Sequence, residues 1–552
     1  MRLPKLSVRL AWWLPALLAG IYVLLILVHL PAILNSVWLS SDSTIDAVLA
    51  HMAAHAPAGA VLTTGDFPHY ETLAFTLLTR GLSFYRPLWM LTPVICVVVG
   101  IAALHWSSRR VFGNWPAALG TAALVCFGGG GLATFRSGGL ATIFSIDSHG
   151  NSIVAAMVCG AGMVWLLPQA ATMKPWKLGL GALAIGVIGG LPLAGDTLCL
   201  AWILLPMLMV TVLAAWRGPQ RQIAYTLGFG LGTALVTGVC ALIFAAIMRG
   251  QGVRGFAWSY HQYATFLTPS DLLANVETTI RGLTLLPSAS FFGQRATGHS
   301  EMALTAALLL FTAMVAVVAR VRRLAKESSQ RPDDGGEPVG ARFVHVTWWL
   351  TAMLAGLVIV LVGHPNDFTT DGRYVLGVYV AIPALLPLLI ERGLGWKLIV
   401  TAATGVFVIN AIYQFNGQVL QQMPRGFTPT TTAQALARYA EQEHVAVGYG
   451  GYWNSINLIW NSDFKVDVYP VQPCGTHSKL ICTLNDINVT GWYEPRPNVR
   501  SMLILYSSGR GVKVADPRFG KPVTSTRLGD LRVLVYPYDI ASRIGYESKI
   551  TP

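Results

Sequence analysis

Two acids, Asp42 and Asp46, stand four residues apart in SSDSTIDAVLA, just after the first long apolar run. On a helix that spacing places both carboxylates on one face. Further along the same polar stretch, GDFPHYETL carries Asp66, His69 and Glu71. An ionised carboxylate at a water–lipid boundary can take a proton from a hydroxyl as general base, or lend its oxygens to a divalent cation. The same residues also have plainer uses, since SSDST is a good helix start and GDFP a good turn. Acids this dense between apolar runs need water on their side of a bilayer, because an isolated carboxylate is expensive in hydrocarbon.

Three more places carry chemistry-bearing residues. FRSGGLATIFSIDSHGNS holds Arg136, Asp147 and His149 ahead of an apolar run. His149 could contact a phosphate or hydroxyl there, or belong to an Asp-Ser-His capping turn. Asp196, in LPLAGDTLCLAW, is a lone acid in apolar surroundings, a functional candidate by default and otherwise a turn between two spans. GHPNDFTTDGRYVLGVY brings Arg373 and Tyr374 to the start of another run. A guanidinium fork matches phosphate oxygens, although Asp371 nearby could instead neutralise an interfacial arginine. The aromatics Trp258, Tyr260, His261, Tyr263, Tyr452, Trp453, Trp492 and Tyr493 could stack on sugar rings or form the aromatic belt of any bilayer boundary.

The elements that must position these residues are mostly apolar. The 552-residue chain is 53% hydrophobic and 12% charged, with a mean hydropathy of +0.53, well outside the soluble norm. About eleven stretches reach spanning length, near 12–34, 87–105, 115–133, 151–168, 178–195, 197–215, 224–248, 301–319, 343–363, 374–390 and 397–415. The formal net charge of +13 does not point to nucleic acid, because Lys and Arg gather in alternate short loops, where they set topology. With Arg2, Lys5 and Arg9 cytoplasmic, the basic loops at Arg109–Arg110, Lys174–Lys177, Arg217–Arg221, Arg320–Lys326 and Arg392–Lys397 fall on the same side. This places the amino terminus inside and the carboxy-terminal region outside, and predicts an uncleaved first span. The polar segment 320–342 reads as a cytoplasmic linker.

From about residue 416 the pattern changes. HVAVGYGGY, FKVDVYPV, RSMLILYSS and LRVLVYPY alternate as strands, and TTAQALARYAEQEH reads as a helix with a threonine cap. The fold class expected is therefore a polytopic all-α membrane bundle over 1–415, with a small extracytoplasmic α/β domain over 416–552. Five of the seven cysteines lie in apolar runs; Cys474 and Cys482, in the outer domain, are the expected disulfide. No phosphate-binding P-loop, GxSxG elbow or HExxH zinc helix is present, which weighs against ATP-driven transport, serine hydrolysis of the α/β kind and zinc proteolysis.

With these motifs in place, the chain resembles the GT-C superfamily of polytopic glycosyltransferases, among them bacterial mannosyl- and arabinosyltransferases. SSDSTIDAVLA is similar to their first outer loop, and GDFPHYETLAFTLLTRGLSFYRPLWMLTP to its return to the membrane. DSHGNSIVAAMVCGAGMVWL and DGRYVLGVYVAIPALLPLL are similar to the His-containing and Arg-Tyr span starts found there. GYGGYWNSINLIWNSDFKVDVYPV looks like part of the soluble domain of some bacterial members. The resemblance implies a polyprenyl-phosphate sugar donor, a glycan, lipid or protein acceptor, and inverting transfer on the outer face of a bacterial inner membrane. Asp42 would be the base and Arg373 would steady the leaving phosphate. The chain has neither an adjacent Asp-Glu pair nor Asp-x-Asp, which leaves a divalent metal (Mg or Mn) and the choice between Asp42 and Asp46 open. The alternatives are a transporter or flippase for a lipid-linked saccharide, and a non-catalytic assembly protein for envelope polysaccharide.

Overall fold

A computed structural model describes residues 5–37, 44–45, 47–49, 51–52, 62–64, 86–127, 140, 149–250, 252–255, 269–285, 298–329, 340–362, 375–391, 393–418, 431–475, 478–484, 488–489, 491–506 and 512–546. The chain divides into two units. One comprises Met1–Ile33, Leu91–Phe244 and Tyr260–Met423; the other comprises Leu34–Met90, Ala245–Ser259 and Pro424–Pro552. The division is not the linear one that hydropathy suggests. Most of the first outer loop and a short piece near 250 belong with the carboxy-terminal residues, because strand pairing joins them.

The first unit is helical. Among the described residues, seven helices are long and apolar enough to cross a membrane: Leu91–Phe112, Asn151–Gln169, Pro175–Leu193, Leu200–Arg217, Gln222–Gly250, Ala341–Val362 and Leu394–Tyr413. Trp13–Val28, Asn114–Phe127 and Leu376–Ile390 are shorter apolar helices. Helix Gly298–Ser329 occupies the remaining expected stretch. It also runs through Arg320–Ser329, so the expected linker begins later than composition suggests: Arg, Leu, Ala, Lys and Glu there are all good helix formers. A further helix, Pro269–Leu285, lies between the expected spans 224–248 and 301–319. Asn275 Nδ2 donates to the Leu361 carbonyl at 2.9 Å and ties it to Ala341–Val362. Outward-facing Leu17, Val28, Leu235 and Leu242 present the apolar surface that lipid covers.

The second unit holds two sheets. Three short strands form the first: β1 (Leu62–Thr64), parallel to β2 (Val253–Gly255) and antiparallel to β6 (Asn488–Val489). Hydrogen-bonded strands lie on one side of a bilayer, so an even number of crossings separates each pair. Five of the seven long helices lie between β1 and β2. Asn114–Phe127, a shorter apolar helix, lies between them as well. Between β2 and β6 lie Ala341–Val362 and Leu394–Tyr413, together with helices Pro269–Leu285, Gly298–Ser329 and Leu376–Ile390.

The larger sheet has the order β5-β4-β3-β7-β9-β8, with β3 (Val445–Gly450), β4 (Val468–Pro473), β5 (Ile481–Thr483), β7 (Arg500–Tyr506), β8 (Thr524–Leu528) and β9 (Leu531–Tyr536). β3 runs parallel to β4 and to β7, and the outer pairs are antiparallel. Helix Tyr452–Asn461 is the crossover between β3 and β4, and Thr431–Gln442 leads into β3. The near-continuous burial of β3, β4 and β7 is that of strands covered on both faces. Cys474 and Cys482 are joined by a disulfide, their Cα atoms 5.0 Å apart.

Candidate functional site

Of the residues singled out above, Asp42, Asp46, Asp66, His69, Glu71, Arg136, Asp147, Arg373 and Tyr374 lie outside the described residues. So do Trp258, Tyr260, His261 and Tyr263. Two candidates are described, and the fold brings them together. His149 precedes helix Asn151–Leu166, and Asp196 occupies the break between Pro175–Leu193 and the π-helical segment Leu200–Leu204. Separated by 47 positions, His149 Nδ1 and Asp196 Oδ2 are 2.8 Å apart. Both side chains are almost wholly buried, at 2% and 1% exposure.

Local sequence explains each placement. Pro192 and Gly195 end the preceding helix, and the Asp196 amide still donates to the Pro192 carbonyl at 2.7 Å. Asp196 Oδ1 then accepts from the Leu198 amide at 2.9 Å, turning the chain into the next helix. His149 has φ +67°, a left-handed conformation uncommon for a residue with a side chain. Strain of that kind persists where the surrounding structure enforces it.

A third residue completes the cluster. Ser152 Oγ donates to the same Oδ2 atom of Asp196. Ser152 lies one helical turn beyond His149, and that spacing at a span start is the signal that could have identified it. Trp202, on the π-helical segment, meets the imidazole edge-on, with ring centroids 6.3 Å apart. It is seated by Gly377, where a Cβ would fall 2.8 Å from Trp202 Nε1 and 2.9 Å from the Ala352 carbonyl.

The chemistry follows from the donors. A carboxylate at Nδ1 orients the ring and holds the proton there, which makes Nε2 the basic nitrogen. Ser152 is not arranged as a nucleophile: it and His149 bind the same carboxylate oxygen, so the Ser–His–Asp order of a hydrolase is not formed. Among the described residues no group of three or more His, Cys, Asp or Glu could hold a metal.

The second unit has polar networks of another kind. Asp539 Oδ1 accepts from the Tyr449 hydroxyl at 2.7 Å and from the Ala541 amide at 3.0 Å; Oδ2 accepts from the Arg496 amide at 3.0 Å. Arg496 Nη2 donates to Tyr469 Oη at 2.6 Å. Burial, then the Asp539 charge, push the Tyr449 hydroxyl far above its ordinary range. Trp492 and Tyr493, candidates for sugar stacking, are core residues. Trp492 stacks on Tyr469 at 5.0 Å, and the Tyr493 hydroxyl donates to the Pro470 carbonyl. Tyr452 opens the crossover helix and is half-buried. His51, from the first outer loop, stacks on Phe464 at 3.8 Å, and Val48 and Leu49 beside it are buried.

No protein-family model and no curated protein matches the chain. Among solved structures it is similar to one described as "Crystal Structure of ArnT from Cupriavidus metallidurans bound to Undecaprenyl phosphate". The identity is 11%, covering 94% of this chain and 98% of that one, with a TM-score of 0.49. A likeness at that level leaves activity and ligand to be argued from this chain's own residues.

Proposed function

We propose that the protein is an integral membrane glycosyltransferase of the GT-C type, moving a sugar from a polyprenyl-phosphate donor to a glycan, lipid or protein acceptor. The observation that carries this reading is the buried His149–Asp196 pair at 2.8 Å, set at the ends of apolar helices. An ionisable pair among apolar helices marks a functional place. A transporter needs such groups near the middle of its spans, whereas this pair sits at a helix start and a helix break. On the alternation of basic loops, that level faces outward, on the side that also bears the first-loop acids.

The mechanism on this reading divides the work. Asp42 or Asp46 takes the proton from the acceptor hydroxyl as it attacks the anomeric carbon, and configuration inverts. The bond to the phosphate oxygen breaks, and Arg373 stabilises the charge that develops on that leaving group. His149, oriented by Asp196, accepts at Nε2 a hydrogen bond from a hydroxyl of the donor sugar. A divalent metal (Mg or Mn), if bound, would be held by the first-loop carboxylates and would supply charge stabilisation to the leaving phosphate.

The test is transfer from radiolabelled polyprenyl-phosphate sugar by membranes carrying the protein. Asp42→Asn is expected to abolish transfer and His149→Ala to depress it severely. Unchanged turnover in Asp42→Asn removes that base. Absence of turnover by the unmutated protein with every lipid-linked donor supports a flippase or an assembly protein instead.

A further inference from the structure

A cavity of about 200 Å³ opens in the second unit, on the side of the large sheet where helices Thr431–Gln442 and Tyr452–Asn461 pack. Its polar wall comes from four places in the chain. Thr432 lies in the first turn of one helix, Asn454 and Asn457 lie one turn apart on the other, Tyr506 ends β7, and Asp530 sits in the β8–β9 turn. The floor is apolar, formed by Leu458 and Leu531, which are 6% and 3% exposed.

Several features of this wall are set by the fold. Gly529, at φ +60°, makes the tight turn that presents Asp530. Asn457 is oriented by Asn461, whose Nδ2 donates to Asn457 Oδ1 and so makes Nδ2 the donor end of the Asn457 amide. Asn454 lies on the same helix face, three positions earlier. Two amides, a carboxylate and two hydroxyl-bearing side chains therefore converge over a small greasy floor.

The chemistry of the lining narrows the ligand. Among the described residues no Lys, Arg or His lines the cavity and Asp530 is the one charge, a lining that disfavours a phosphate or other anion. One carboxylate is too few for a divalent cation, which takes six or more oxygens. An acyl chain has no hydrogen-bonding group to match a lining in which five of the seven described residues are polar. Vicinal hydroxyls, each both donor and acceptor, match amide and carboxylate pairs, and a sugar ring has an apolar C–H face suited to Leu458, Leu531 and the Tyr506 ring. We propose that this cavity is a saccharide-binding site that takes a single sugar unit. The assignment stands apart from the transferase reading, since it concerns equilibrium binding rather than turnover.

The experiment uses the full-length protein in lipid nanodiscs free of glycolipid and of maltoside detergent, whose head group would compete. Isothermal titration and saturation-transfer NMR are run with methyl glycosides of hexoses, pentoses and N-acetylhexosamines, and with oligosaccharides ending in the same units. Saturable binding of at least one glycoside is expected, weakened tenfold or more by Asn454→Ala and by Asp530→Ala. Asn454→Trp, which fills the cavity, should abolish binding with no change in melting temperature. Equal affinity for glycoside and oligosaccharide identifies a lone unit as the ligand, and tighter binding of the oligosaccharide identifies a glycan chain. Absence of saturable binding across the panel, or affinity unaltered by all three substitutions, overturns the assignment.

Discussion

Asp196 and Asp539 are both buried carboxylates, one in the helical unit and one in the sheet unit, and they are held in opposite ways. Asp539 takes two backbone amides and a phenol, and caps the short 3₁₀ turn Ile540–Arg543 that follows it. Its partners do not exchange protons near neutrality. Asp196 has one backbone amide, and its other oxygen is claimed by His149 and Ser152 from another helix. Burial of an acid is therefore not itself the mark of a site; what distinguishes Asp196 is that it orients an imidazole carried by a distant segment of the chain.

This contrast can be broken at its strongest point. His149→Ala is expected to lower transfer from a lipid-linked donor by roughly 10²–10³-fold, the loss of one positioned hydrogen-bonding group, while Asp539→Asn keeps turnover near the parent value. Equal losses in the two variants would end the distinction. Asp516, 1% exposed, provides a second structural acid for comparison: Arg518 and the Ile481 amide hold it. Asp516→Ala, which leaves the buried Ile481 amide without that acceptor, should destabilise the sheet unit by about 1–3 kcal/mol, read as a loss of near-ultraviolet circular dichroism at lower temperature.

Smaller effects sharpen the same picture. Reduction of the Cys474–Cys482 bridge should cost the sheet unit about 2–3 kcal/mol and leave the helical unit's melting unchanged. Gly377→Ala should cost the helical unit roughly 1–3 kcal/mol by overpacking. Because Trp202 must shift against His149, it should also lower turnover, which a purely structural glycine would not do.

The smallest expected effects are those of pH. Burial opposes ionisation of Asp516, but hydrogen bonds from Arg518 and from the Ile481 amide outweigh it, so its carboxyl titrates below the usual value of 3.8. A depressed acid stabilises the fold above its unfolded pKa, and that contribution fades as pH falls below about 4. Burial, then the charges of Tyr538 and Asp516, raise Tyr536 from 10.0 to about 12. A raised phenol stabilises below its unfolded pKa, so the sheet unit should weaken as pH climbs from 10 toward 12, and Tyr536→Phe should flatten that limb. Urea titrations at stepped pH check both limbs.

Much of the secondary structure was legible along the chain. HVAVGYGGY, FKVDVYPV, RSMLILYSS and LRVLVYPY become β3, β4, β7 and β9. Helix runs through the described part of each expected span stretch, and among the described residues seven helices have the full length and apolarity of a crossing. Helix Pro269–Leu285 was not legible, because it lies between apolar runs and lacks a spanning pattern of its own. Trp492 and Tyr493 look from their types like ring-stacking surface residues; only the closure of the sheet over Tyr469 makes them core.

What the order of residues determined alone is the membrane character, the change to strand periodicity near residue 416, and a short set of ionisable residues at span ends. These are local properties, set by hydropathy and repeat within a few turns of chain. What tertiary structure decided is who meets whom. His149 and Asp196 are 47 positions apart, and β1 finds β2 and β6 across most of the chain. Such pairings depend on how helices and strands pack, and side-chain contacts between distant segments leave no period in the sequence from which to read them.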